Sequence, residues 1–195
     1  MTLSDGKLKL ESSESVYDPA EDSFLLADAV DEVGDLVLDI CCGTGIQGLT
    51  HAGGASHVIC TDINPRAVRC ARENARANGV ANASFIIADL FAGIGGRFDT
   101  VIFNPPYLPV EEEGDAARAW AGGESGNDII DRFLCGVCDH IKRGGILFML
   151  VTSANDPPSV AEKLEGLGFS QKTVAERGLF FESLHVKKAA YKVDL

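Results

Sequence analysis

The sequence lacks an apolar run long enough to cross a bilayer. Its longest uninterrupted apolar stretch, residues 146–151, has six residues, whereas a membrane-spanning helix needs about 20. Residues 1–6 also lack the basic and then apolar pattern of a signal peptide. These two absences lead us to expect a protein of the cytoplasm that does not associate with membranes.

Positive charge is scarce as well. The 17 Lys and Arg residues are outnumbered by 29 Asp and Glu residues, which gives a formal net charge of -12. Nucleic acids are bound largely through Lys and Arg contacts to phosphates, so a broad nucleic-acid face is not expected, although a local basic patch is still open. An acidic chain is better suited to a protein substrate with a basic surface.

The six cysteines lack a metal or disulfide pattern. Cys135 and Cys138 are three residues apart on a predicted helix, and there is no second CxxC motif. A structural zinc ion needs four ligands, and the nearest histidine, His140, faces away at this spacing. The remaining cysteines lie in apolar segments and are typical of small buried residues: Cys41, Cys42, Cys60 and Cys70. We therefore expect no metal site.

What the sequence does contain is an alternation of strand-like and helix-like segments. The apolar run Leu36–Ile40 is typical of a central parallel strand. Further strands are predicted at residues 57–61, 84–88, 100–103 and 146–151, and helices at residues 46–51, 65–78, 127–141 and 157–167. Residues 172–193 alternate like a hairpin, with residues 179–181 on one strand and 184–186 on the other. We predict one α/β domain over residues 1–195, with a Rossmann-like, seven-stranded, mainly parallel sheet, helices on both faces and a C-terminal antiparallel hairpin.

The first helix has a start signal of its own. Asp18 is predicted to be its N-cap, Pro19 its first residue and Glu21 the returning partner of a capping box. On this interpretation, Glu21 serves only the helix end.

A glycine-rich loop follows the first predicted strand. Gly43, Gly45 and Gly48 match the GxGxxG pattern, in which glycines let a ligand approach the backbone closely at a helix N-terminus. A dinucleotide and S-adenosylmethionine can both use such a loop, so the glycines alone leave both possibilities open.

Carboxylates at or near the ends of three successive strands favour S-adenosylmethionine. Asp62 is placed to bind two ribose hydroxyls, and Asp89 could accept a hydrogen bond from an adenine amino group. Asp39 could pair with an ammonium group, whereas it would repel the pyrophosphate of a dinucleotide. Each aspartate could also be a helix cap or a loop acceptor.

Asn104-Pro105-Pro106-Tyr107 directly follows a predicted strand. The side-chain oxygen of Asn104 and the carbonyl of Pro105 could both accept hydrogen bonds from one planar –NH2 group, and Tyr107 could pack on its flat face. This arrangement indicates methyl transfer to an amide or exocyclic amine nitrogen. A plain turn is the alternative interpretation.

The chain resembles the class I S-adenosylmethionine-dependent methyltransferases that methylate amino groups. More narrowly, it is similar to the protein-glutamine methyltransferases of the HemK superfamily, in the archaeal and eukaryotic branch that modifies peptide-chain release factors. The stretches that carry the resemblance are residues 16–23, 39–45, 61–65, 88–90, 104–107 and 119–123. Asn-Pro-Pro-Tyr is shared with adenine and guanine methyltransferases, whereas Pro-Ala-Glu-Asp-Ser and Trp-Ala-Gly-Gly are narrower marks of this branch.

The resemblance implies where the cofactor would bind. Asp39 and the backbone of the glycine loop would hold its methionine part, Asp62 its ribose and Asp89 its adenine, and residues 1–34 would close over the site. The implied cofactor site consists of Ser23, Asp39, Cys41, Gly43, Gly45, Asp62, Ile63, Asp89, Leu90 and Asn104. The family usually has glycine at the position of Cys41, and we expect the small cysteine to be tolerated.

The resemblance also implies an acceptor site and an activity. Asn104, Pro105 and Tyr107 would be catalytic. The implied substrate site consists of Asn104, Pro105, Pro106, Tyr107 and Trp120. The methyl group would go to the side-chain amide of the glutamine in the GGQ motif of a release factor, and a small zinc-binding activator protein would form a heterodimer with the chain. Trp120, in the predicted loop 108–126, could instead be a core residue.

Other activities stay open on the sequence. Asn-Pro-Pro-Tyr also permits methylation of an exocyclic amine in RNA or DNA, and another protein or a small molecule could be the acceptor. A nicotinamide-dependent oxidoreductase would need a hydride-transfer site that we do not find. A subunit that binds S-adenosylmethionine without catalysis is disfavoured by the intact Asn-Pro-Pro-Tyr.

Overall fold

A seven-stranded sheet forms the centre of the fold in the computed structural model, which describes residues 8–12, 15–106 and 127–192. Its strands are β1 (Leu36–Ile40), β2 (His57–Asp62), β3 (Ala83–Ile87), β4 (Phe98–Phe103), β5 (Ile141–Thr152), β6 (Phe169–Gly178) and β7 (Ser183–Tyr191). The strand order is β3-β2-β1-β4-β5-β7-β6. β1 to β5 run parallel, and β7 runs antiparallel to both β5 and β6. The predicted sheet and its C-terminal hairpin are confirmed.

In the described part of the chain, five α-helices cover the two faces of the sheet. They are α1 (Glu21–Ala29), α2 (Ile46–His51), α3 (Pro65–Ala77), α4 (Asp128–His140) and α5 (Pro157–Gly166). α1, α2 and α3 pack on one face, where the core includes Ile102 and Phe148. α4 and α5 pack on the other face, where the core includes Val101 and Phe103. Because both faces are covered, the central strands are apolar at nearly every position. Among the described residues, no helix is long and apolar enough to cross a membrane.

The predicted start of the first helix is wrong. α1 begins at Glu21, its N-cap is Ala20 in an extended conformation, and no side chain caps it. Asp18 is exposed, whereas Pro19 is buried and forms part of a cavity wall. Pro19 therefore precedes the helix, and its burial in the cavity wall outweighs the local capping signal.

The C-terminal hairpin turns earlier than the sequence predicts. β6 ends at Gly178 and β7 begins at Ser183, so Phe180 and Phe181 lie in the turn and not on a strand. β5 is longer than predicted because Ile141 already pairs with Phe98, ahead of an irregularity in the ladder.

Gly48 sets the distance between α2 and the sheet. A Cβ atom at this position would lie 2.7 Å from Cys60 Sγ, 2.9 Å from Val58 Cγ1 and 3.1 Å from Asp39 Oδ2. The backbone N–H of Gly48 donates a 2.9 Å hydrogen bond to the same Oδ2. The third glycine of the loop is thus needed for close packing of helix on strand.

We expect Gly48→Ala to destabilise the protein by about 1–3 kcal/mol, because the added methyl overpacks a site closed by two strand side chains. Urea unfolding measures this change. Gly53→Ala is the matched control, since no atom lies within 4 Å of a Cβ there. Equal losses in the two variants would contradict the packing argument.

Candidate active site

A cavity of about 420 Å³ lies at the carboxyl ends of the parallel strands. The loops after β1, β2, β3 and β4 form its wall, and residues before and within α1 close one side. Ten of the residues expected at the site line this cavity: Ser23, Cys41, Gly43, Asp62, Ile63, Asp89, Leu90, Asn104, Pro105 and Pro106. β1 and β4 are neighbours at which the strand order reverses, and such a switch point is where ligands bind in open α/β sheets.

Two expected site residues, Gly45 and Asp39, do not line this wall. Tyr107 and Trp120 lie outside the described residues, as does the predicted loop 108–126. Gly45 is the N-cap of α2 with φ of 85°, and a Cβ there would lie 3.0 Å from Ala71. Gly45 therefore lies on the side of the glycine loop that faces away from the cavity, and Asp39 lies on that side as well.

The carboxylate of Asp39 is fully buried beneath the glycine loop. Its Oδ2 accepts the hydrogen bond from Gly48, and its Oδ1 has no partner among the described residues. Burial raises the pKa of Asp39 to about 7, the Gly48 N–H lowers it, and the nearby charge of Asp62 raises it. The site therefore holds a carboxyl group that is costly to ionise.

The loop after β1 takes left-handed backbone conformations. Cys41 has φ of 59° and Gly43 has φ of 54°. A non-glycine residue in this region costs roughly 1–2 kcal/mol, which explains in physical terms why glycine suits the position of Cys41. Burial raises the pKa of the Cys41 thiol well above its usual value, so the thiol is neutral.

Asp62 joins the ends of β1 and β2. Its Oδ2 accepts a hydrogen bond from the Gly43 N–H at 3.0 Å, and its Oδ1 accepts one from the Asn64 N–H at 2.9 Å. Burial raises the pKa of Asp62, while these two N–H donors lower it. Each oxygen of a carboxylate has a second lone pair, so Asp62 can still accept from two hydroxyl groups.

Asp89 has a partner that the sequence did not suggest. Arg132 of α4 donates a hydrogen bond to Asp89 Oδ2 at 2.6 Å. The pair is partly exposed, and ion pairs of this kind contribute little to stability. Arg132 nevertheless ties the loop after β3 to α4.

A chain of hydrogen bonds joins the N-terminal segment to Asn104. Asn104 Nδ2 donates to Asp22 Oδ2 at 2.9 Å and to Ser23 Oγ at 3.4 Å. Tyr17 donates from its hydroxyl to Asp22 Oδ1 at 2.9 Å. An ionised carboxylate only accepts hydrogen bonds, so Asp22 fixes the amide of Asn104 with its –NH2 group toward α1.

Tyr17 and Asp22 were not predicted individually as site residues, although the sequence contains a signal for Asp22. Asp22 precedes Leu25 and Leu26 by three and four residues, so it lies on the same helical face as these core residues. A carboxylate on the buried face of a helix needs a partner. This periodicity indicates an interior role that the capping interpretation overlooked.

Unsatisfied polar atoms are concentrated around the cavity. Thr44 Oγ1, Gln47 Oε1 and Asn104 Oδ1 are buried without a hydrogen-bond partner in the described part of the chain, and all three residues line the cavity. Asp39 Oδ1 lies just beneath it. Buried polar groups in folded proteins are nearly always paired, so a cluster of unpaired ones is typical of a site that binds a polar ligand.

Residues 13–181 match the family model described as the methyltransferase small domain. The chain belongs to the methyltransferase small domain family. This methyltransferase is 40% identical to the putative protein N5-glutamine methyltransferase of Methanocaldococcus jannaschii, over 93% of the chain and 95% of the relative. It is 34% identical to the human methyltransferase HEMK2, over 89% of the chain and 88% of the relative.

A solved structure resembles this methyltransferase along most of its length. It is the Mtq2–Trm112 complex of E. cuniculi, described as responsible for methylation of the translation termination factor eRF1. The TM-score is 0.74 at 29% identity, and the match covers 91% of this chain and 99% of the other. Together with the sequence relatives, this match confirms the resemblance to the archaeal and eukaryotic release-factor methyltransferases and the class I methyltransferase fold.

The pKa of Asp39 gives a testable pH dependence. Between about pH 4 and pH 7 the folded state holds a proton on Asp39 that the unfolded state has lost, because the pKa is raised from 3.8 to about 7. The contribution of Asp39 to the free energy of unfolding therefore falls as pH rises through that window, by at most about 1.4 kcal/mol per pH unit.

We expect Asp39→Asn to gain stability relative to the natural protein as pH rises, measured by urea unfolding at several pH values. The exposed Asp28→Asn is the control, and parallel curves for Asp39→Asn and the natural protein would contradict the expectation.

Proposed function

We propose that this methyltransferase transfers a methyl group from S-adenosylmethionine to the side-chain amide nitrogen of a glutamine in a peptide-chain release factor. The observation that carries the proposal is Asn104, whose Oδ1 is unpartnered among the described residues while Asp22 holds its Nδ2. The M. jannaschii relative is named for N5-glutamine methylation, and the structural relative for methylation of eRF1. The acceptor glutamine would be that of the GGQ motif, as in the resembling family.

The fixed orientation of Asn104 suits recognition of a planar –NH2 group. Its own –NH2 is engaged by Asp22 and Ser23, so its oxygen is the part left for a substrate. The backbone carbonyl of Pro105 is the second acceptor, and the rings of Pro105 and Pro106 restrict the local backbone. Two rigid acceptors can take both protons of one primary amide, and we assign this role to Asn104 and Pro105, with Tyr107 packing on the flat face of the amide.

The chemistry of the cavity fits S-adenosylmethionine. The acids Asp62 and Asp89 in its wall and the unpaired Asp39 Oδ1 beneath it favour a ligand with positive charge, hydroxyl groups and an amino group. A pyrophosphate would be repelled there. When bound, S-adenosylmethionine supplies a methyl group on a positively charged sulfur. The proposed cofactor residues are Ser23, Asp39, Cys41, Gly43, Gly45, Asp62, Ile63, Asp89, Leu90 and Asn104.

The residues of the site contribute positioning and electrostatics. An amide nitrogen is a weak nucleophile because its lone pair is delocalised. Hydrogen bonds from its two protons to Asn104 Oδ1 and the Pro105 carbonyl draw electron density onto nitrogen and orient it toward the methyl carbon. Such orientation and prearranged acceptors can supply several kcal/mol of rate enhancement, on the order of 3 or more.

No dedicated base is needed in this scheme. The described cavity wall contains no histidine, and burial raises the pKa values of Cys41 and Cys42 well above the usual range of a thiol. Once the nitrogen has accepted the methyl group it carries a positive charge and becomes strongly acidic. It then loses its extra proton to water.

We also propose that residues 1–195 act as one domain in the cytoplasm, with residues 1–34 closing over the cofactor. The hydrogen bonds from Tyr17 to Asp22 and from Asn104 to Asp22 support this closure, because they connect the N-terminal segment to the acceptor loop. Trp120 stays a proposed substrate contact.

A small activator subunit of the Trm112 kind would bind the free edge of β3. Among the described residues, both outer strands, β3 and β6, have one edge without a strand neighbour. β6 carries exposed Lys172, Glu176 and Arg177, and charges of this kind block strand addition. β3 carries no charge, and Ile86 and Ile87 are 37% and 58% exposed. An uncharged apolar edge is suited to a partner, and the structural relative was solved as a complex.

We expect Asn104→Ala to lower kcat about 100-fold or more, because one of two acceptors on the amide protons is lost. Transfer of labelled methyl from S-adenosylmethionine to a release factor, with the activator present, measures this. Calorimetry should find cofactor binding largely intact, which separates loss of chemistry from loss of the cavity.

The acceptor itself is tested by replacing the GGQ glutamine of the release factor with alanine. Label on the intact factor alone is the expected result. Equal label on both factors would move the methylated position elsewhere on the protein. Label on RNA and none on the factor would favour the exocyclic-amine alternative.

The partner edge is tested with Ile87→Lys. A charge on the uncharged edge should abolish co-purification with the activator subunit on co-expression, while the thermal unfolding midpoint of the chain changes little because Ile87 is exposed. Ser170→Lys, on the opposite edge strand β6, should leave co-purification intact. Retained binding by Ile87→Lys would place the activator on another surface.

A further inference from the structure

The turn of the C-terminal hairpin exposes two phenylalanines almost completely. Phe180 is 92% exposed and Phe181 is 94% exposed, whereas the next most exposed large apolar residue of the described chain, Ile87, is 58% exposed. Their rings contact each other edge to face, with centroids 4.8 Å apart. Turns are usually built from glycine and short polar residues, so the fold itself does not require phenylalanine here. We call this pair the Phe180–Phe181 tip.

The tip is held in a defined position. The Leu179 N–H donates a 2.7 Å hydrogen bond to the Glu182 carbonyl and closes the turn. The Ser183 N–H donates to Ser153 Oγ at 3.1 Å and anchors the hairpin beside the end of β5. Leu179 packs against the core on one side of the tip, and Leu184 is buried on the other. The pair is therefore displayed on a fixed support.

The tip lies at the same edge of the sheet as Asn104. β7 is antiparallel to β5, and Leu184 at its start pairs with Thr152 at the end of β5. β5 is parallel to β4, in which Phe103 immediately precedes Asn104 and pairs with Met149. The carboxyl ends of β4 and β5 and the start of β7 thus share one edge. Two strand spacings separate Asn104 from the base of the hairpin, a lateral distance of about 10 Å.

We propose that the Phe180–Phe181 tip is a docking element for the methyl-acceptor protein, which it binds through an apolar patch while the acceptor side chain enters at Asn104. The inference rests on the proposed function. A single side-chain amide offers few contacts, so binding energy for a large substrate must come from surfaces away from the reacting atoms. Exposed aromatic residues are the typical anchors of such interfaces.

Other occupants fit less well. The proposed activator edge at β3 lies at the opposite end of the seven-stranded sheet from the hairpin, about 30 Å away. A membrane with anionic lipids would be repelled by the net charge of -12. Contact of the tip with a second copy of the chain is the remaining alternative, and the test below distinguishes it from docking of the substrate.

The test compares two acceptors for the chain with its activator: the intact release factor and a short peptide that contains the acceptor glutamine. In the double variant Phe180→Ser and Phe181→Ser, we expect KM for the intact factor to rise about tenfold or more. kcat should stay within about twofold, because the lost contacts bind the substrate equally in the ground state and in the transition state. Kinetics on the peptide should not change, which also shows that the variant is folded.

Two further variants sharpen the result. Phe180→Tyr with Phe181→Tyr should restore most of the affinity for the intact factor, because aromatic contact area is kept. Lys172→Ser changes an exposed residue of β6 far from the turn and should behave like the natural protein.

Four results would overturn the proposal. An unchanged KM for the intact factor in the serine variant would show that the tip is not a docking element. An equal loss on factor and peptide would show that it supports the site. A change from dimer to monomer in the serine variant, with KM for the factor unchanged, would assign the tip to contact between copies. Failure of the natural protein to label the factor would reject the proposed function, and the docking role with it.

Discussion

The reversal of strand order between β1 and β4 is the constraint on which the site depends. After β1 the chain crosses to α2 on one face of the sheet, and α4, which precedes β5, lies on the other face. The two neighbouring carboxyl ends therefore have connections that diverge, and a crevice opens between them. The glycine loop and Asn104 occupy its two sides because they directly follow β1 and β4. No other pair of adjacent parallel strands in the described chain diverges in this way.

The N-terminal segment makes this crevice a single site. Asp22 crosses from α1 to hold Asn104, while Ser23, the next residue, lines the same cavity. The side chain that we propose binds the substrate amide, Asn104, is thus oriented by the same segment that covers the proposed cofactor position. Unpaired buried polar atoms such as Gln47 Oε1 and Asn104 Oδ1 cost about 1–3 kcal/mol each. The fold tolerates that loss of stability at the cavity, which is where a ligand would supply the missing partners.

Local signals predicted the framework well. Leu36–Ile40 and Ile46–His51 have the bounds that the apolar run and the glycine loop indicate, and α3 begins at Pro65 and ends before Asn78 as its proline and its Asn-Gly pair require. The order and direction of most strands in the sheet could also be predicted, because repeated strand–helix units have few ways to pack. Most expected cavity residues were predictable for the same reason, since loops after parallel strands meet at one edge.

The failures have tertiary causes. Asp18 carries a strong capping signal, but the burial of Pro19 decides where the chain turns into α1. The role expected of Asp39 stays a prediction, but its place beneath the cavity was not indicated by its position near a strand end. The side chains of β1 alternate between faces, so Asp39 shares the face of Val37 and lies beneath α2. Arg132 is distant from Asp89 in sequence, and no local pattern indicates that they meet.

The burial of acidic groups links stability to ligand binding. Asp39 and Asp62 both have raised pKa values because burial penalises their charge, and the charge of Asp62 raises the pKa of Asp39 further. A cation bound in the cavity would favour the ionised forms of both, lower their pKa values and offset the penalty. The same acids that weaken the empty protein near neutral pH would therefore attract a positively charged cofactor. Because binding to the folded state alone stabilises it, a cationic ligand in the crevice would raise the free energy of unfolding of the whole protein.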